Sequence, residues 1–225
     1  MKQITCRDVD ALKRLVHGDH PLELPPHNGK TVIVFWTGGV DSTFLVFYYL
    51  MQGYTVMTQW VDIINNSGKT EAEKAARKAV INELKSIFEP TKLFARLHVM
   101  GLPLMRIDFR GKSRADLPQA LIWVLATSFF TVDHDIVMGY CNGDDALAFL
   151  PQIKKFIKSM NVNMLHTPVN AYFPLIGMKK EWFAAAMPQA VLKATHSCEY
   201  VGEPDYEKET CQCAPCRRRR FEIGQ

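Results

Sequence analysis

Residues 31–49 read TVIVFWTGGVDSTFLVFYY, and no other stretch limits the fold so tightly. Val32, Ile33, Val34, Phe35 and Trp36 show no polar-apolar alternation, the pattern of a strand buried on both faces in a parallel sheet. Gly38 and Gly39 then allow a sharp turn and a close approach of backbone to a ligand. Asp41 or Ser42 can cap the apolar helix that follows, whose first-turn N–H groups point back at the loop. Those amides, the helix dipole and the hydroxyls of Thr37, Ser42 and Thr43 make an anion site of phosphate size.

The loop is not the Walker type, because no GxxxxGK followed by Ser or Thr occurs and no lysine follows the glycines. Thr37-Gly38-Gly39-Val40-Asp41-Ser42 resembles the SGGxDS signature of the PP-loop ATP pyrophosphatases, with Thr in the first position keeping the hydroxyl. The resemblance implies that Thr37, Gly38, Gly39, Val40, Asp41, Ser42 and Thr43 hold ATP phosphates while a substrate oxygen attacks phosphorus. Gly-Gly serving only as a tight strand-to-helix turn is the alternative.

Along the rest of the chain, strands and helices alternate without internal repeat. Residues 1–29 form a cover segment with one weak helix near Arg7 to His17, and its three histidines have no metal-like spacing. Tyr54 to Asp62 reads as a second strand. Thr70-Glu71-Ala72-Glu73 caps a helix to about Phe88, whose charges Glu73, Lys74, Arg77 and Lys78 read most simply as a solvated face, Glu73 and Arg77 being the two that would reach the site. A third strand is expected over Phe94 to Met100, a buried apolar helix over Leu117 to Val132, and a fourth strand at Asp135 to Gly139. The loop after it carries Asp144 and Asp145, which could hold Mg²⁺ or a polar substrate, or simply favour the following helix start. That helix runs from about Ala146 to Met160, and a strand-like piece from Tyr172 leads through Lys179 and Lys180 into another. The whole reads as an α/β, Rossmann-like parallel sheet with helices on both faces. Residues 30–195 form the nucleotide domain, and residues 196–225 a zinc-binding tail packed on it.

In that tail, four of six cysteines fall together: Cys198, Cys211, Cys213 and Cys216. Four thiolates with one Cys-x-x-Cys knuckle fit a closed tetrahedral Zn²⁺ site; a redox pair at Cys213 and Cys216, or uncoordinated thiols, are the competing readings. The formal charge of +4 resides in Arg217 to Arg220, and the remainder is neutral. Beside a thiolate cluster this run reads as charge balance, and nucleic acid is not an expected partner. No apolar stretch spans a bilayer and the start, MKQITCRDVD, is too polar for a signal peptide, so a cytoplasmic protein is expected. Residues 44–51 are apolar enough to serve a homodimer interface.

A PP-loop domain closed by four C-terminal cysteines resembles 7-cyano-7-deazaguanine synthase, the QueC-like enzyme of queuosine biosynthesis. The likeness runs from Thr31 onward through Gly139 to Asp144, Pro174 to Lys180, and the Ser-Cys and Cys-x-x-Cys of the tail with its arginine-rich exit. It implies an ATP-dependent carbon-nitrogen ligase that converts 7-carboxy-7-deazaguanine and ammonia into the nitrile. Asp41, Ser42, Asp144 and Lys180 would be catalytic, Arg114 and Asp144 would contact substrate, and Mg²⁺ would lie near Asp41 or Asp144. Three departures mark a divergent member: Cys211 and Cys213 are one residue closer than the family spacing, Lys112-Ser113-Arg114 stands where Pro-Gly-Arg-Asn is usual, and no Tyr-Pro-Asp-Cys follows the acidic loop. A PP-loop tRNA-modifying enzyme and a non-catalytic ATP-binding partner in a protein or DNA modification system are the rival functions.

Overall fold

A computed structural model describes residues 31–64, 67–100, 103, 105–108, 122–123, 125–126, 135–163, 170–198, 211–213 and 216–217. Five strands form one parallel sheet: β1 (Thr31–Phe35), β2 (Thr55–Gln59), β4 (Leu97–Val99), β6 (Asp135–Val137) and β7 (Ala171–Tyr172), in the order β4-β2-β1-β6-β7. Two more, β3 (Val61–Ile64) and β5 (Met105–Asp108), pair in parallel as a separate ribbon. From β1 the sheet grows outward through β2 and β4; the chain then returns to lay β6 on the other side of β1. The reversal between β1 and β6 opens a crevice at their carboxyl ends, where open α/β sheets bind ligands.

β1 is central because its sequence can be buried on both faces. Val32 and Val34 enter one core with α1 (Val40–Met51), α2 (Ser67–Ile87), α3 (Pro90–Arg96), α5 (Lys180–Ala186) and α6 (Gln189–Ala194). Ile33 and Phe35 enter another with Ile136, Trp123 and the α4 (Leu150–Asn163) side chains Ile153 and Ile157. Each such fully buried side chain contributes about 1.5–3 kcal/mol. α1 is covered nearly all round, with Phe44, Leu45, Val46, Phe47, Tyr48, Tyr49 and Leu50 all buried. The run foreseen as an interface is therefore core, and it leaves no apolar face of its own for a second copy.

Local chemistry shifted several expected boundaries. The single strand expected over residues 54–62 breaks at Trp60, which leaves the ladder and passes the chain into β3. Residues 90–96, partly read as strand, are helical because Pro90 sits at the first helical position, where its fixed φ helps and its missing N–H costs nothing. Only Leu97–Val99 pairs with β2, and Phe94 is 58% exposed. The helix expected from Ala146 starts as a 3₁₀ turn, Asp145–Phe149, before α4. Nor does Asp41 or Ser42 cap α1: the helix begins at Val40, with Gly39 at the cap and no side-chain cap bond.

The weak N-terminal helix, Arg114 and Arg218 to Arg220 lie outside the described residues. Of the apolar helix expected over residues 117–132, Ile122, Trp123, Leu125 and Ala126 are described as helical; all but Leu125 are buried. Among the described residues no helix is long and apolar enough to cross a membrane.

Candidate active site

The loop between β1 and α1 is held from several sides. At its base the Trp36 indole donates to Thr43 Oγ1 at 2.9 Å, strapping the strand end to the first helical turn. Gly38 has φ +89°, a left-handed conformation that favours glycine, and a Cβ there would stand 3.0 Å from the Glu73 carbonyl oxygen on α2. The Gly39 N–H donates to Thr37 Oγ1 at 3.2 Å, and the Thr37 and Ser42 hydroxyls share a hydrogen bond of 3.3 Å. Two loop carbonyls are engaged by other elements: Thr37 O accepts from Arg77 Nη1 at 3.3 Å and Gly38 O from the His196 N–H at 2.9 Å. Carbonyl lone pairs would repel a phosphate, so fixing both on protein donors favours anion binding by the amides.

The facing wall comes from the segment after β6. Gly139 passes so close to α1 that a Cβ would lie 3.0 Å from the Ser42 backbone nitrogen, which accounts physically for glycine at that position. Two residues on, Cys141 Sγ is 3.7 Å from Asp41 Oδ1, and its N–H donates to Asp144 Oδ2 at 2.7 Å. The Asn142 N–H donates to the Met178 carbonyl at 2.9 Å, tying this loop to the approach of α5. At the start of α5, Lys180 Nζ reaches Asp41 Oδ2 at 2.9 Å. Asp41, Cys141, Asp144 and Lys180, drawn from three separate segments, thus converge beside the phosphate loop. A 470 Å³ cavity lined by Lys154, Lys158, Asn161, Asn170 and Tyr172 lies where β7 begins, at the other end of the sheet.

Electrostatics assign protonation states to this group. Burial raises the Asp41 carboxyl above its ordinary value; Lys180 opposes that shift and Asp144 adds to it. For Lys180, burial favours the neutral amine, but the charge and hydrogen bond of Asp41, with Asp144 behind it, prevail and hold it above its usual value. Lys180 is therefore a cation at neutral pH. Burial, then the Asp41 charge, pushes the Cys141 thiol well upward, so it is a neutral S–H donor and not a thiolate nucleophile.

The four tail thiols also converge. Cys198 Sγ stands 3.6 Å from Cys211 Sγ and 4.0 Å from Cys213 Sγ, and Cys216 completes a set whose ligand atoms all lie within 4.8 Å of one another. These separations are twice a disulfide length of about 2 Å. They match the roughly 3.8 Å between sulfurs placed tetrahedrally at about 2.3 Å from one ion. The cluster thus fits Zn²⁺, and the short Cys211-x-Cys213 spacing does not keep Cys211 out of it.

Of the residues singled out in the sequence, Thr37 through Thr43, Asp144, Lys180 and the four cysteines are placed in these two sites, while Arg114 lies outside the described residues. Two contributors were not anticipated: Cys141, the third residue of the Gly139 to Asp144 stretch, and His196, which bonds the loop through its backbone; Arg77, read most simply as part of a solvated face and otherwise as able to reach the site, is 5% exposed. Arg77 lies at helical spacing from the buried Val80 and Leu84, and that register was the available signal.

Fold and sites together define an α/β nucleotide-binding protein of the Rossmann type, its phosphate loop backed by a four-cysteine cluster. A model of the family described as Queuosine biosynthesis protein QueC matches residues 30–223, and the chain belongs to that family. Membership brings queuosine-type biosynthesis and ATP-using, ligase-type chemistry with it. No curated protein matches the chain.

Proposed function

We propose that the protein activates the carboxylate of 7-carboxy-7-deazaguanine with ATP and converts it with ammonia to 7-cyano-7-deazaguanine. The observation that carries this reading is the Lys180–Asp41 ion pair, 2.9 Å long, at the mouth of a phosphate loop whose carbonyls are already engaged. A carboxylate is a poor electrophile because neither oxygen can leave as oxide. Attack of one oxygen on a phosphorus of ATP forms a mixed anhydride, which makes that oxygen part of a phosphate leaving group, and expels pyrophosphate or ADP according to the phosphorus attacked. Ammonia then displaces that group, giving the amide and releasing a proton. A second ATP then activates the amide oxygen in the same way as one N–H proton is lost, and departure of the phosphate group with loss of the other N–H proton leaves the C–N triple bond.

This chain's residues would serve that sequence by position and charge. The N–H groups of residues 38–41 and the Ser42 and Thr43 hydroxyls would hold the phosphates, and Lys180 would neutralise charge developing on them. Asp41 and Asp144 would hold Mg²⁺, which when bound supplies further charge neutralisation. The tail cysteines would hold Zn²⁺ as a structural ion, contributing folding free energy to a segment with little apolar content.

Mass spectrometry of incubations with ATP, ammonium and the 7-carboxy base tests the reading. Nitrile, with amide as intermediate and nucleotide cleaved in step, is expected. ATP bound but never cleaved would sink it and favour a non-catalytic partner role. AMP against ADP among the products identifies the bond broken.

A further inference from the structure

We infer that Arg77 is a positioning residue of the phosphate loop, turning the Thr37–Gly38 peptide so that its N–H faces the nucleotide and placing a buried positive charge beneath the phosphates. Arg77 is anchored on α2, and its guanidinium lies over the Trp60 ring, 4.4 Å from the centroid, a cation–π contact that restrains the fork. From there Nη1 donates to the Thr37 carbonyl at 3.3 Å. In a trans peptide C=O and N–H point opposite ways, so holding Thr37 O on Arg77 directs the Gly38 N–H to the other side.

The same contact explains the closeness of α2 to the loop. A Cβ on Gly38 would meet Arg77 Cγ at 3.3 Å as well as the Glu73 carbonyl, so the stem of Arg77 is part of the loop's floor. Burial weighs against the charge of this guanidinium, and the carboxylates of Glu73 and Asp62 favour it. Burial outweighs those two carboxylates, so a further negative charge beside the guanidinium would be favourable. The phosphates of a bound nucleotide would supply one.

This inference rests on the reading of the loop as an ATP site, and the test separates the two. Calorimetric titrations of the full-length, metal-loaded protein would measure ATP and adenosine binding for wild type, Arg77→Met, Arg77→Lys and Trp60→Leu. Arg77→Met is expected to bind ATP at least about tenfold more weakly while adenosine affinity changes less than about twofold. Arg77→Lys keeps the charge and should fold even if Arg77→Met does not; without the planar fork it should lose about threefold or more for ATP alone, as should Trp60→Leu, which frees the guanidinium. Unchanged ATP affinity in Arg77→Lys and Trp60→Leu, or equal losses for ATP and adenosine, would overturn the role while leaving the ATP site standing. Wild type that binds no ATP would overturn both.

Discussion

The backbone N–H of His196 donates to the carbonyl of Gly38 at 2.9 Å, and through this bond the cysteine cluster reaches the phosphate loop. Cys198 follows two residues later, its carbonyl 3.1 Å from the His196 imidazole nitrogen Nε2, so the first thiol ligand and the loop belong to one short braced segment. Stripping the tail of metal should therefore weaken ATP binding as well as lower the melting temperature. By linkage, ATP should tighten metal binding, so that more chelator is needed to strip it. Metal content and ATP affinity followed through a chelator titration check this; metal-free protein that stays folded and binds ATP as before would refute it.

Gly38→Ala should be among the most damaging single changes in the loop. The left-handed φ costs a non-glycine residue about 1–2 kcal/mol, and the added methyl meets the Glu73 carbonyl at 3.0 Å. Gly139→Ala pushes instead on the Ser42 nitrogen. Both should reduce ATP affinity, but Gly139→Ala with the smaller loss of stability, as thermal melts run beside nucleotide titrations would reveal.

Removing Lys180 takes from the Asp41 carboxylate the cation that opposes both its burial and the charge of Asp144. Lys180→Met should lower ATP turnover by about a hundredfold or more, the scale seen when a charge-stabilising group is lost from a site. Asp41→Asn leaves the ammonium without its partner, costing about 2 kcal/mol once partial exposure is allowed for. Steady-state rates and denaturant midpoints separate the two effects.

Tyr48 supplies a pH prediction. Its hydroxyl is buried in α1 with no side-chain or backbone partner among the described residues, and burial, then the Tyr54 charge, pushes it up to about 12. The neutral form is thus favoured in the folded chain more than in the unfolded one. The Tyr48 contribution is fully present below pH 10 and is lost as pH climbs from 10 toward 12. Tyr48→Phe removes that dependence and, by deleting an unsatisfied buried hydroxyl, should be neutral or stabilising by up to about 1 kcal/mol at neutral pH. Denaturant titrations at several pH values on both proteins decide it.

What could be read from the sequence was whatever the chain states locally. The unbroken apolar run of β1 announced a central parallel strand, the Gly-Gly turn announced the loop, and the four tail cysteines announced their cluster. Cys141 was illegible for the opposite reason: nothing near it in the sequence says that Asp41, 100 residues earlier, is its neighbour. Arg77 was read first as one of a solvated set with Glu73, Lys74 and Lys78, its reach to the site only the alternative, because composition does not distinguish an inward-facing charge from a solvated one, whereas helical register does. The strand expected through residues 94–96 failed on a local signal, Pro90, whose preference for a helix start outweighed the apolar residues after it.

The lateral pairing of β1 with β6 also bears on how the protein comes to be functional. Val32 aligns with Asp135, and no short-range contact prepares that match. Parallel pairings between distant segments close late, after a large loop entropy has been overcome. The phosphate loop can begin to form once β1, α1 and α2 meet, but its acidic wall arrives only with β6, and Lys180 and His196 only with the segments beyond it. Nucleotide added during refolding should therefore leave the folding rate unchanged and slow the unfolding of completed molecules, in which all these segments are in place.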